Sequence, residues 1–205
     1  MSYLDDRAEG ANGDLCNLPQ VRVMAERQKF AAPVRAFGSV VAGVLLLGLL
    51  AAPAMGRSRA CPAPPAEYRG RYSDAVGRRA AAFRPWVELL AGAYQIDSAE
   101  TAAVLALETG YRSIRGGIDR GCFGAGQVRW QDQAELLCRE GISCHPGALL
   151  NPWIGIWAAV RVLAGWHRIM GPGALCAYTG ATEGRCRAYR AGVAWMRCEL
   201  RQADR

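Results

Sequence analysis

The sequence predicts an all-α fold, and two observations carry that expectation. Beyond about residue 73 the apolar residues recur at helical spacing, and no convincing run of residues alternates as a strand would. Residues that start and stop helices punctuate the same region. Pro85 fits the first turn of a helix running to about Ile96. Asp97-Ser-Ala-Glu100 reads as a capping box that opens an apolar helix, Ala99 to Thr109, with Gly110 placed to end it. Residues 110–126 hold six glycines and three arginines and read as loop. Gln131 to Arg139 is a short amphipathic helix. Asn151-Pro152 is an N-cap with proline at the first helical position, and the helix it opens carries Trp153, Trp157, Val160 and Ala164 as a buried stripe. Gly171-Pro-Gly173 breaks that helix. A short helix, Ala174 to Tyr178, ends at Gly180, and a last one covers roughly Gly184 to Leu200.

The chain has 205 residues, 51% hydrophobic and 21% charged. That composition fits one globular domain with appendages and excludes a disordered chain, a collagen-like repeat and a polytopic membrane protein. The net charge of +7 is carried by arginine, with Lys29 the sole lysine, and residues 1–35 balance five acids against five bases. The excess therefore lies in the globular part. It suits an anionic partner, and it is equally what a GC-rich genome writes when arginine serves for every cation.

Ala36 to Ala52 is an uncharged run of 17 residues with an aliphatic centre, flanked by Lys29 and Arg35 and followed by the small-x-small site Ala52-Pro-Ala54. This is the anatomy of a secretory signal peptide, or of an uncleaved signal anchor. Met24 offers the natural start of its basic n-region. The expected organisation is therefore a disordered or mis-called extension over 1–23, a signal peptide or anchor over 24–56, a Pro/Ala/Arg-rich linker over 57–72 and a helical domain over 73–205. Cys61 lacks the aliphatic residue three positions earlier that lipidation wants. Seven cysteines follow the signal, which points to disulfides in a periplasm or cell envelope, with one left free or paired between chains. Cys138 and Cys144 are close enough to bridge a tight loop. Cys186 and Cys198, on one helix, would stand about 18 Å apart and cannot bond. No C-x-x-C pair exists and the only histidines are His145 and His167, so a zinc site is not expected, nor any other metal or cofactor.

Glu108 is the residue to explain. It ends a strongly apolar helix just before the glycine-rich loop. Burial there would raise its pKa toward what a general acid needs. The plain alternative, an exposed glutamate in the last turn, meets the unfavourable end of the helix dipole. Around it stand Glu108-Thr-Gly-Tyr111, Gly124-Ala-Gly-Gln127-Val128 and Ala177-Tyr-Thr-Gly180, in that order.

Together these three motifs resemble the SLT-type lytic transglycosylases and the related goose-type lysozymes, whose signatures are Glu-Ser-Gly-aromatic, Gly-Leu-Met-Gln and Ala-Tyr-Asn-x-Gly. The resemblance covers roughly residues 86–197, and Asn151-Pro-Trp-Ile-Gly155 is similar to the family's Asn-x-x-x-Gly helix start. It implies a small lysozyme-like helical domain with a central cleft, acting on peptidoglycan glycan strands. Glu108 matches the acid that protonates the bond between N-acetylmuramic acid and N-acetylglucosamine, then serves as base toward the muramoyl 6-hydroxyl. Gln127 and Tyr178 match residues that line the cleft and orient sugar and acid. Thr109, Tyr111 and Gly124 fall on the remaining motif positions, Tyr111 as packing or contact. Thr109 keeps the hydroxyl of serine. Gly126 replaces methionine and would widen the site. Thr179 replaces asparagine and loses an amide, which bears on substrate positioning.

Asp119-Arg-Gly-Cys-Phe-Gly124 resembles the goose-type stretch that holds the water-activating aspartate, one residue shorter, so Asp119 is the candidate base for hydrolysis. Arg129 stands where goose-type enzymes carry a further aspartate, and Asp132 nearby reads as a helix residue. Transglycosylation is the preferred reading. Arg112, Arg115 and Arg120 could hold murein carboxylates, and Trp130, Trp153 and Trp166 could stack on sugars or belong to the core. The competing reading is a non-catalytic wall-docking module of a secretion, conjugation or phage system. Nucleic-acid binding has only the net charge behind it and is not expected.

Overall fold

The structure is a computed structural model that describes residues 60–116 and 121–204. The expected extension, the signal or anchor segment, Asp119 and Arg120 lie outside the described residues. The described part is mostly helical: α1 Asp74–Tyr94, α2 Ser98–Thr109, α3 Trp130–Arg139, α4 Pro152–Met170, α5 Ala174–Thr179 and α6 Glu183–Ala203. A two-stranded antiparallel ribbon pairs β1 Cys122–Phe123 with β2 Val128–Arg129 inside the expected loop. Two residues per strand are too few for an alternating pattern to show in a sequence.

Most helix ends follow from their caps. Asp97 accepts from the Glu100 N–H at 2.8 Å and opens α2. The reciprocal half of the capping box is not made, because the Glu100 carboxylate instead meets His167 Nε2 at 2.7 Å. Gly110, at φ 60°, closes the same helix. Asn151 Oδ1 accepts from Trp153 and Ile154 N–H groups at 3.0 and 3.3 Å. α1 departs from expectation. It starts at Ser73, whose side chain accepts from Val76 N–H, and Pro85 lies inside it. An internal proline removes one helical hydrogen bond and costs about 3 kcal/mol. Burial of Val76, Ala80, Val87, Leu90 and Ala91 along a helix of 21 residues outweighs that cost.

α4 is the central element, burying Ile156, Ala159, Val160 and Leu163, with α1 and α5 packed on it and α6 packed on α2. The expected stripe on α4 is buried at Val160 and Ala164, but Trp153 is 50% exposed and rests edge-on against Phe83 and Trp86. The linker expectation for 57–72 is also corrected. From Ala60 onward this segment packs on the domain: Tyr68 is buried and Cys61 is bonded to Cys198. Disulfides also join Cys138 to Cys144, as expected, and Cys176 to Cys186. No described cysteine is free, which removes the free-thiol half of the expectation for the odd cysteine. Among the described residues no helix is long and apolar enough to cross a membrane.

Candidate functional site

Glu108 lies in the last turn of α2 and is 8% exposed. The Tyr189 hydroxyl, from α6, donates to its Oε1 at 2.7 Å. Oε2 is then the oxygen left to carry a proton. Burial pushes the Glu108 carboxyl from 4.5 to about 7, against the opposing pull of the Tyr189 hydrogen bond and the Arg71 charge. Three phenols share its surroundings. Tyr178 and Tyr189 titrate well above the ordinary phenol range because they are buried, with the Glu108 charge adding to the effect. Tyr68 is pushed up to about 12 by burial, then by Glu67 and Glu108. All three therefore remain neutral donors across neutral pH. Nothing in local periodicity distinguishes Tyr189, which reaches Glu108 from 81 residues away.

The three motifs converge through backbone contacts. Thr109 is buried and its hydroxyl donates to the Ala125 carbonyl at 2.8 Å, tying the end of α2 to the 124–127 turn. The Tyr178 hydroxyl donates to the Gly126 carbonyl at 2.6 Å, tying α5 to the same turn. The Gln127 amide donates to the carbonyls of Gly124 and Ile114 at 3.0 and 3.3 Å, from a residue held at φ 49°. Gly124, at φ 78°, lets the turn approach the start of α4: a Cβ there would stand 2.6 Å from the Leu149 carbonyl oxygen, just before the helix, and 3.2 Å from Gly155 Cα within it. Tyr111 is buried, bonds back to the Ala102 carbonyl at 3.2 Å and stacks on Phe83. Thr109 and Tyr111 thus commit their hydroxyls to backbone carbonyls, and Gly124 serves the close packing of the turn.

Gly126 corrects an expectation. Its missing side chain does not widen the site, because a Cβ there would stand 2.3 Å from Ala159 Cβ and 2.7 Å from the Tyr178 hydroxyl. The space is filled by closer approach of the turn to α4. Thr179 spends its hydroxyl on its own helix, donating to the Cys176 carbonyl at 3.1 Å. Arg129 pairs with Asp132 at 3.3 Å, so the two half-buried side chains are committed to each other between β2 and α3. Arg112 donates to the Thr109 carbonyl at 3.0 Å and Arg115 lies over the Phe123 ring. Trp166 is buried in the core, and Trp130 is half-buried against it.

A cavity of about 130 Å³ lies at the other end of α2, lined by Ala80, Val87, Ser98, Leu200 and the arginines 84 and 197. It is remote from Glu108, which stands ten residues along the same helix from Ser98, about 15 Å at helical rise. Among the described residues there is no cluster of three metal-ligating side chains. The chain matches no family model, and no curated protein or solved structure matches it.

Proposed function

We propose that this protein is a lysozyme-like lytic transglycosylase of the cell envelope that cleaves the β-1,4 bond between N-acetylmuramic acid and N-acetylglucosamine. The observation that carries the reading is Glu108: a buried carboxyl raised to about 7, with a neutral phenol on one oxygen. Such a group can be protonated at neutral pH and can give its proton to a poorly basic leaving oxygen. The order of the three motifs supports the same reading, as does the way Thr109 and Tyr178 draw all three onto one turn.

In this mechanism Glu108 passes its proton to the glycosidic oxygen as the bond to the muramoyl C1 breaks. The resulting carboxylate, steadied by Tyr189, takes the proton from the muramoyl 6-hydroxyl. That oxygen then closes on C1 as a 1,6-anhydro ring. The proton returns to Glu108, and no water is consumed. The disulfides support an exported site of action.

The test is mass spectrometry of muropeptides released from purified murein by the chain and by its Glu108→Gln variant. The reading expects anhydro-muramoyl ends from the wild type and none from the variant. Reducing ends alone would assign hydrolysis, with Asp119 as the base to examine. Equal release by both proteins would take the acid role away from Glu108, and release by neither would leave a wall-docking module.

A further inference from the structure

The segment read as a linker supplies two of the groups around Glu108. Tyr68 is buried and packs edge-on against Tyr189, with ring centroids 6.4 Å apart. It fits there because Gly192 has no side chain: a Cβ would stand 2.7 Å from the Tyr68 ring. Arg71 lies over the Tyr68 ring at 5.4 Å and donates from its guanidinium to the Leu107 carbonyl at 2.9 Å, one residue before the acid. The segment has little structure of its own, a single three-residue turn at Ala66–Tyr68. Its covalent hold is the Cys61–Cys198 disulfide. The bond, the Gly192 cradle and the Tyr189 partner all belong to α6.

We infer that residues 60–72 form a strap, fastened by Cys61–Cys198, whose Tyr68 and Arg71 are positioning residues for the Glu108 carboxyl. This rests on the reading of Glu108 as the acid and names what sets it. The groups that interact electrostatically with Glu108 are Tyr178 from α5, Tyr189 from α6, in direct contact with it, and Tyr68 and Arg71 from the strap. The two strap residues act in opposite directions. The Tyr68 ring keeps water away and favours the neutral acid. The Arg71 charge favours the carboxylate.

The experiment follows the Glu108 carboxyl in the full-length chain by carbon-13 NMR, with the signal identified by its loss in Glu108→Gln, beside the alkaline limb of murein cleavage. Arg71→Gln is expected to move the midpoint upward by roughly half a pH unit, and Arg71→Lys to restore it. Cys61→Ser unfastens the strap, admits water and moves the midpoint downward, from about 7 toward 4.5. Tyr68→Ala, which keeps the disulfide, gives the same downward shift and serves if Cys61→Ser does not fold. A general loosening would move all variants the same way. Shifts in one common direction, or midpoints unchanged from wild type, overturn the strap. If the shifts occur as expected while no variant or wild type cleaves murein, the enzymatic reading fails and the strap stands.

Discussion

The two ends of α2 hold carboxyl groups in opposite settings. At its start, Asp97 is half-exposed; partial burial is the strongest single influence on its carboxyl and pushes its pKa up. The Glu100 and Ala99 N–H groups and the Arg197 guanidinium, 2.8 Å away, together outweigh it and hold the group below the usual carboxylate range. At its end, Glu108 takes its hydrogen bond from the Tyr189 hydroxyl rather than from a cation, and burial dominates, lifting it to about 7. One helix thus carries one carboxyl held ionised and another held toward its protonated form, and the difference lies in what surrounds each end rather than in the residue type.

The contrast breaks most sharply at Glu108. Glu108→Gln should lower murein cleavage by roughly 10²–10⁴-fold, the usual contribution of a general acid, read as release of anhydro-muropeptides. The same variant tests the sign of the titration. A folded-state pKa raised from 4.5 to about 7 means that the native state holds the proton more tightly than the unfolded chain. Stability from this group is therefore fullest below about 4.5 and is lost as pH rises to about 7, by about 3 kcal/mol. Denaturant melts of wild type should show that decline and melts of Glu108→Gln should not.

Next in size is the turn that gathers the motifs. Gly126→Met, which restores the residue usual in the resembled family, should destabilise the fold by about 3 kcal/mol, because its Cβ would overlap Ala159 and the Tyr178 hydroxyl. A thermal melt unchanged from wild type would mean that the turn does not lie against α4. Tyr189→Phe should cost about 1 kcal/mol and shift the alkaline limb of cleavage upward, since the lost donor favours the carboxylate. At the other end of α2, Asp97→Ala should cost about 1 kcal/mol through the lost cap. That cost should fade as pH falls through the acid range, because a depressed pKa stabilises only while the group is ionised. The two ends of one helix would then show stability profiles of opposite slope.

What could be read from sequence follows the same division. Helix ends were legible at the side-chain caps Asp97 and Asn151 and at Gly110, whose left-handed backbone closes α2, but not at Ser73, the cap that opens α1 ahead of Pro85. Pro85 pointed to the wrong start because its local preference for a first turn yields to the packing of Val76 and Ala80, which only the folded chain brings together. Glu108, Gln127 and Tyr178 were singled out through motif and apolar context. Tyr189, Tyr68 and Arg71 were not, because each comes near Glu108 by a long-range contact that leaves no periodic trace. Gly126 was read as an opening because a missing side chain in a sequence does not say what fills its place.

Glu108 can act as proposed only if its carboxyl holds a proton near neutral pH, and its titration in the wild-type chain tests this most directly. Followed by carbon-13 NMR, that signal is expected to change with a midpoint near 7. A midpoint near the ordinary glutamate value of 4.5 would mean an ionised side chain at neutral pH and would contradict the acid at the centre of the proposal.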